Sequence, residues 1–262
     1  MVTSEYLGKK AFHVLKWTKP LIITIITATI SAVVIILITL SHTRNHNNLV
    51  MAELANIKET QQQENQFLMS RINYGEERQR MVLFLRDEIF ETWTAQHFED
   101  ATMDRAYDLA SIDVTMSEMF PQVGALTIAS TQFVESGWGQ HRLSSEGAMG
   151  LNQFMPSTGL LICTAMGRAY NIKVLNDDKL STEMAAKYLD LVFAHYGNWE
   201  AALADYNGGP YQAVYYTRKD PRLSKETKDY VPAVLAKKAA LEKKLLTYKV
   251  DITTLNPDKE GI

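Results

Sequence analysis

Glu135 follows an apolar stripe at helical spacing and lies two residues before a glycine. Leu126, Ala129 and Phe133 form the stripe, and Gly137 is the expected end of the helix, because glycine readily adopts left-handed backbone. Glu135 therefore falls in the last turn, where unpaired carbonyl groups carry partial negative charge. That charge, with desolvation by neighbouring aromatic rings, is expected to raise the pKa of the carboxyl group towards the range of a general acid. Taken alone, a glutamate at such a position is more often a solvated surface residue.

The segment Ser145–Thr158 contains glycines and a carboxamide that suit contact with a ligand. Gly147 and Gly150 allow positive φ angles and a close approach of the backbone to a ligand. Gln153 offers a donor and an acceptor to a sugar or an acetamido group. Most glycine turns only reverse the chain, so this segment has little weight by itself.

A short helix is predicted to end at Tyr206 and Asn207, where Gly208, Gly209 and Pro210 break it. An aromatic face and a carboxamide at a helix end suit carbohydrate binding. The plain alternative is a tyrosine that only packs and an asparagine that tolerates left-handed backbone.

The elements that must position these residues are all predicted to be helices. Pro121 is expected in the first turn of the helix that carries Glu135, and Pro156 in the first turn of the next one. Ser181 is expected to cap a later helix, which Gly197 closes. The sequence therefore predicts an all-α, mainly helical domain.

The organisation of the chain is predicted in five parts. Residues 1–20 precede an apolar segment at 21–40, residues 41–115 form a helical stalk or linker, residues 116–246 form the main domain, and residues 247–262 form a tail. The stalk assignment rests on apolar residues that recur every three or four positions. The sequence does not define an oligomeric state.

Residues 21–40 carry no charge, and about 20 apolar residues suffice to cross a bilayer as a helix. Lysines cluster before this segment, so the positive-inside rule predicts a single-pass inner-membrane protein with a cytoplasmic N-terminus and a periplasmic domain. A cleaved signal peptide is the alternative. It is disfavoured because its apolar region is usually shorter, and because no small-residue cleavage site follows residue 40.

Composition excludes nucleic acid as a partner and several kinds of bond and site. The net charge is −3 and the pI is about 6.1, so the chain has no basic field for nucleic acid. A single cysteine rules out an internal disulfide bond and a thiolate-rich metal site. The six histidines form no metal-binding pattern, and no cofactor is expected.

Taken together and in order, these segments resemble the catalytic domain of the soluble lytic transglycosylase family, which is related to goose-type lysozyme. The resemblance extends from about Met116 to Leu241. It rests on VESGWG (Val134–Gly139), SEGAMGLNQFMPST (Ser145–Thr158), AAKYLDLVFAHYG (Ala185–Gly197), ALADYNGGP (Ala202–Pro210) and ETKDYVPAVL (Glu226–Leu235).

The resemblance implies a lysozyme-like fold and cleavage of peptidoglycan glycan strands between N-acetylmuramic acid and N-acetylglucosamine. The product would be a 1,6-anhydro sugar, with Glu135 acting first as acid and then as base. The implied substrate-binding residues are Ser136, Met149, Gln153, Tyr206, Asn207 and Glu226. The sequence departs from the family pattern at Asn152, Asp205 and Lys228, which bears on subsite preference and not on the reaction.

Two alternatives stay open at this stage. One is a lysozyme-like hydrolase in which Asp177, Asp178 or Asp205 activates water. The other is a non-catalytic peptidoglycan-binding component of an envelope-spanning assembly. An envelope machine or a phage assembly would be the partner in that case.

Overall fold

The computed structural model describes residues 46–249 and, before them, residues 24, 27, 28, 31 and 32. Two compact units are present, Met1–Glu77 with Asp251–Ile262, and Arg78–Val250. None of the helices in these described ranges combines the length and the apolar character that a membrane span requires. The predicted span at residues 21–40 lies outside the described residues, apart from the five isolated positions.

The described part of the chain forms eight α-helices and one 3-10 helix. They are α1 (His46–Ala95), α2 (Met103–Met119), α3 (Ala125–Ser136), α4 (Pro156–Ala165), the 3-10 helix Ile172–Asn176, α5 (Asp178–Tyr196), α6 (Trp199–Gly208), α7 (Pro210–Arg218) and α8 (Lys225–Thr247). Within the same ranges, β-pairing is limited to two isolated bridges, Leu143 with Met149 and Met149 with Phe154. The mainly helical class predicted from the sequence is confirmed.

The part of α1 that belongs to the first unit is helical, as its periodicity predicted. Its apolar side chains there include Ile57 and Phe67, which are exposed. The role of this segment as a stalk stays a prediction.

The second unit begins well before residue 116, where the sequence placed the start of the domain. The last turns of α1 carry a stripe formed by Leu85, Ile89 and Trp93, which are completely buried. This stripe packs in one core cluster with residues of α2 and with Trp138 and Leu241. The last turns of α1 therefore belong to the core of the second unit, and the predicted domain boundaries stay a prediction.

A second core cluster lies between α2, α5, α6 and α8. Tyr230, Val231 and Val234 contribute the face of α8, and Leu189 and Leu203 come from α5 and α6. Helix α3 packs along α8. The end of α3 lies against the first turns of α8, where Tyr230 donates a hydrogen bond to Glu135. This pairing of α3 with α8 positions Glu135.

Some predicted helix boundaries are confirmed. Gly137 ends α3 with a φ of 61°, and Gly197 ends α5 with a φ of 69°. Pro156 occupies the first turn of α4.

Two predicted helix starts are wrong. Helix α3 begins at Ala125, because the residues from Pro121 to Gly124 form a turn in which Val123 N–H donates to the carbonyl of Phe120. The cap of α5 is Asp177, whose carboxylate accepts a hydrogen bond from Leu180 N–H at 2.9 Å.

Candidate active site

Glu135 is the second-last residue of α3, at the end predicted from the sequence. Its side chain is partly buried, and Oε1 accepts a hydrogen bond of 2.6 Å from the hydroxyl group of Tyr230 on α8. The left-handed backbone of Gly137 turns the chain away directly after this point. The carboxyl group is therefore fixed at a junction of α3 with α8.

Electrostatics at this position favour the protonated acid. The pKa of Glu135 is raised from 4.5 to about 8, chiefly because burial desolvates the carboxyl group and to a smaller extent because of the negative charge of Glu226. The hydrogen bond from Tyr230 acts in the opposite direction, because it stabilises the carboxylate. The direction of the shift agrees with the sequence prediction. A carboxyl group that is mostly protonated near neutral pH is suited to general acid catalysis.

Tyr230 was not predicted as a site residue, although it lies within the segment Glu226–Leu235. It is only 7% exposed, and burial raises its pKa well above the usual value for tyrosine. The sequence does hold a signal, since Tyr230 follows Glu226 by four positions and lies on the same face of a helix. Glu226, which was a predicted site residue, therefore indicated that the residue one helical turn later, Tyr230, lies near the site.

Tyr206 lies near the end of α6, as predicted. Its hydroxyl group donates to the backbone carbonyl of Asn152 at 3.2 Å, and its ring lies 5.8 Å from the ring of Phe154. Burial raises the pKa of Tyr206, and the charge of Glu135 adds to this effect. Tyr206 thus joins α6 to the segment that contains Gln153, close to the candidate acid.

Asn207 connects the end of α6 with the start of α8. Its Oδ1 accepts a hydrogen bond of 2.7 Å from Thr227, and its Nδ2 donates to Glu226 at 3.3 Å. Glu226 is exposed in the first turn of α8. The structure therefore brings Asn207 and Glu226 together, and Glu226 with Glu135 electrostatically.

Met149 and Gln153 lie in the loop between α3 and α4. Met149 exchanges two backbone hydrogen bonds with Phe154, of 3.0 and 3.1 Å, and its side chain packs partly buried against the core. Gln153 has a positive φ of 46°, and its Nε2 donates to the carbonyl groups of His141 and Gly150. The two hydrogens of this amide thus stabilise the loop, and its oxygen is the atom left to accept from a ligand.

Gly150 has the positive φ angle that its residue type suggested, 79°. The prediction that it allows a ligand to approach the backbone is not supported, because the close neighbour is part of the protein. A Cβ atom at this position would overlap the carbonyl group of Leu175. At Gly147, by contrast, no atom lies within 4 Å of such a Cβ.

The resemblance implies that Ser136 orients the substrate or the acid, and its contacts fit only the second of these roles. Its side chain is 1% exposed, and its hydroxyl group donates to the carbonyl of Leu151 at 2.6 Å and accepts from Gly139 N–H at 2.9 Å. These contacts are buried, so they exclude direct binding of substrate by this hydroxyl group. Ser136 instead ties the end of α3 to the loop that contains Gln153.

A comparison with known families gives one match in this part of the chain. Residues 117–228 match the model of the Transglycosylase SLT domain family. The matched range lies inside the predicted range of residues 116–241, and it contains all seven predicted site residues. Tyr230 lies two positions beyond it. The match supports the prediction of a lytic transglycosylase enzyme.

Two solved structures are similar to this chain. The 70 kDa soluble lytic transglycosylase from Escherichia coli matches 63% of the chain with 19% identity and a TM-score of 0.47. An inactive mutant of the lytic transglycosylase Slt from Pseudomonas aeruginosa matches 71% of the chain with 21% identity and a TM-score of 0.49. The chain covers 30% and 34% of the lengths of these two proteins.

Proposed function

We propose that this protein is a membrane-anchored lytic transglycosylase that cleaves the glycan strands of peptidoglycan. The observation that carries the proposal is the carboxyl group of Glu135, which burial keeps protonated and which Tyr230 holds in place. This carboxyl group lies within the range that matches the transglycosylase family model. One carboxyl group suffices if the substrate supplies its own nucleophile, whereas an ordinary glycosidase uses two.

In the first step, Glu135 donates its proton to the glycosidic oxygen between N-acetylmuramic acid and N-acetylglucosamine. The bond from C1 to that oxygen breaks, and positive charge develops at C1. The N-acetyl group of the substrate stabilises this charge. The raised pKa of Glu135 keeps the proton available near neutral pH.

In the second step, ionised Glu135 accepts the proton of the C6 hydroxyl group of the muramic acid. The hydroxyl oxygen attacks C1 and closes a 1,6-anhydro ring, so no water is consumed. Glu135 ends in its starting protonation state. The hydrogen bond from Tyr230 stabilises the carboxylate that exists between the two steps.

The surrounding residues suit the binding of amino sugars. The amide oxygen of Gln153 can accept from a sugar hydroxyl or an acetamido N–H group. The exposed carboxylate of Glu226, one turn before Tyr230, can accept from further hydroxyl groups. Tyr206 and Asn207 border the same region through their contacts with Asn152 and Glu226. Met149, the remaining predicted substrate-binding residue, packs in the same core cluster as Tyr206.

The hydrolase alternative requires a second carboxylate that is free to activate water. Asp178 forms two hydrogen bonds with Arg142, of 2.6 and 3.0 Å, and Asp177 caps α5. Asp205 is buried and accepts hydrogen bonds of 2.6 Å from two tyrosine hydroxyl groups. All three are engaged in structural contacts, which favours the transglycosylase.

Mass spectrometry of digested peptidoglycan separates these two reactions. Purified sacculi treated with the enzyme should yield muropeptides that end in 1,6-anhydromuramic acid. Reducing muropeptides, which are heavier by one water molecule, would identify a hydrolase and contradict the proposal.

Substitution at Glu135 tests the non-catalytic alternative. Glu135→Gln keeps an oxygen that accepts from Tyr230 but removes the proton donor, so lytic activity on sacculi should be lost. Glu200→Gln, at an exposed position in the first turn of α6, is the matched control and should keep full activity. Equal activity of Glu135→Gln and wild type, or an inactive wild type, would favour the binding component.

The anchor at residues 21–40 and the periplasmic location are part of the proposal. The uncharged apolar segment and the lysines before it support them. A reporter that functions only outside the cytoplasm, fused after Ile262, should be active. If a second reporter that functions only in the cytoplasm is active at the same position instead, the proposed orientation is refuted.

A further inference from the structure

A buried polar cluster lies behind Glu135, between α2, α3 and α5. Asp113 on α2 and Gln132 on α3 are both 0% exposed. The amide nitrogen of Gln132 donates to Oδ1 of Asp113 at 2.8 Å and to the hydroxyl group of Thr182 on α5 at 3.1 Å. The three helices thus share hydrogen bonds in the interior, where unpaired polar atoms are strongly destabilising.

The orientation of the Gln132 amide is fixed by Thr182. The hydroxyl group of Thr182 donates its single hydrogen to the carbonyl of Asp178 at 2.6 Å. It can therefore only accept from Gln132, which places the amide nitrogen of Gln132 towards Thr182 and Asp113. A flipped amide would set two acceptors against each other.

This orientation leaves two acceptors of the pair without a donor. Oδ2 of Asp113 and Oε1 of Gln132 are buried and have no hydrogen-bond partner. Oδ2 is the second oxygen of the Asp113 carboxyl group. Oε1 belongs to the same Gln132 amide whose nitrogen already donates to Oδ1 of Asp113. A proton on Oδ2 would supply the missing donor, because a carboxylic acid and an amide can pair through two antiparallel hydrogen bonds.

We propose that Asp113 is a neutral carboxylic acid that pairs with Gln132 through two hydrogen bonds, and that this pair positions the helix of Glu135. Gln132 lies three residues before Glu135, so the pair fixes the last turn of α3 relative to α2 and α5. The positioning role rests on the proposed function of Glu135, whereas the pairing itself does not.

The same cluster reaches the other side of the candidate site. Nδ2 of Asn152 donates to Ser181 at 3.2 Å and to Thr182 at 3.4 Å. The backbone carbonyl of Asn152 accepts from Tyr206, and Gln153 follows in the chain. Thr182 is therefore the shared acceptor that connects the acid helix with the loop of Gln153.

The charges around the cluster agree with a neutral acid. Burial raises the pKa of Asp113 well above its usual range, and the negative charge of Asp178 on α5 raises it further. Asp178 is itself bound by Arg142, and Arg105 on α2 interacts with both. Glu183, the next carboxylate on α5, is bound by Arg168. None of these cations contacts Asp113.

Two variants of the full chain test the pairing. Asp113→Asn places an amide N–H where the acid proton would be and keeps an acceptor for Gln132. It should unfold at the wild-type temperature or higher and keep wild-type kcat. Asp113→Leu keeps the branching of the side chain but has no polar atom. It should unfold at a lower temperature and reduce kcat tenfold or more, since small displacements of an acid have large effects on rate.

The pH dependence of stability gives a second readout, which needs no activity. In the unfolded chain Asp113 ionises at its usual pKa of about 4, whereas in the folded protein it stays neutral. Wild type therefore loses stability as the pH rises above that value, by up to about tenfold in the folding constant per pH unit. Asp113→Asn should not lose it, so the difference between the two should grow with pH.

Carbon-13 NMR of the side-chain carboxyl groups completes the test. The carboxyl resonance that Asp113→Asn removes should stay at the position of a protonated acid at pH 7. A resonance of an ionised carboxylate, or an Asp113→Asn variant that fails to fold, would overturn the proposal. Wild-type stability that depends on added cations would also overturn it, because a cation would then replace the proton. An inactive but stable Asp113→Asn would refute only the positioning role.

Discussion

The hydroxyl group of Tyr230 donates to Oε1 of Glu135 at 2.6 Å, between residues that are 95 positions apart in the chain. This contact stabilises the carboxylate, while burial and Glu226 stabilise the acid. Burial is the largest effect on the proton affinity of Glu135, and it is opposed by Tyr230 and reinforced by Glu226, two residues of α8 that lie one turn apart. The effects of these two residues can be removed separately.

Replacing Tyr230 with Phe should shift the alkaline limb of activity to higher pH. The variant removes the hydrogen bond that lowers the pKa of Glu135, so the acid keeps its proton to a higher pH. At the same time kcat should fall, by about ten- to hundredfold, because the carboxyl group loses its fixed orientation. The pH profile of kcat/KM from pH 5 to 10 measures both effects. An unchanged limb would mean that Tyr230 does not act on this proton.

Replacing Glu226 with Gln should shift the same limb in the opposite direction. The variant removes a negative charge that raises the pKa of Glu135, yet its amide oxygen can still accept from Asn207. Activity should therefore begin to fall at a lower pH than in wild type. Glu200→Gln, remote on α6, should leave the profile unchanged. A shift of the alkaline limb to higher pH in Glu226→Gln would contradict the electrostatic role of Glu226.

The position of Glu135 could be predicted from the sequence because it depends on local structure. Gly137 ends the helix through its own backbone preference, which fixes the turn on which Glu135 lies. The contact with Tyr230 could not be predicted, since it depends on how α3 packs along α8. Sequence spacing within α8 relates Tyr230 to Glu226 but not to a residue of another helix.

Ser136 and Gly150 show the same limit of prediction from the sequence. The sequence indicated a hydroxyl group beside the acid and a glycine with positive φ, and both are present. Their neighbours decide what they do, and these neighbours are the carbonyl groups of Leu151 and Leu175. Both contacts join separate parts of the chain, so the residue types alone could not show that the protein itself is the partner at these two positions.

Replacing Glu135 with Gln should stabilise the protein at neutral pH. The folded pKa of about 8 lies above the value of 4.5 for a free glutamate, so only the unfolded state ionises between these values. Wild type therefore loses stability as the pH rises from ~4.5 to ~8, while a glutamine does not titrate. At pH 7, which lies about 2.5 units above the unfolded pKa, the gain should be on the order of 3 kcal/mol, and it should vanish near pH 4. Denaturant unfolding at several pH values measures it, and a gain that does not depend on pH would refute the raised pKa.

Replacing Asp205 with Asn should reduce stability and leave the reaction intact. Asp205 accepts hydrogen bonds from Tyr188 and Tyr196 in a buried position, and an amide offers only one acceptor. The loss should be about 1–3 kcal/mol, as for charge-assisted hydrogen bonds. Asp190→Asn, which breaks only a long ion pair with Lys187, is the control and should change stability by less than ~0.5 kcal/mol. A stable but inactive Asp205→Asn would favour the hydrolase.

Replacing Gly150 with Ala should destabilise the protein much more than replacing Gly147 with Ala. Both glycines have positive φ angles, of 79° and 88°, so the backbone strain of an alanine is similar at the two sites. Only at Gly150 would the new Cβ overlap the carbonyl group of Leu175, whose backbone cannot move without disturbing the 3-10 helix. We expect about 1 kcal/mol for Gly147→Ala and more than ~3 kcal/mol for Gly150→Ala. Thermal unfolding compares them, and equal losses would show that the loop of Gln153 does not depend on close packing against Leu175.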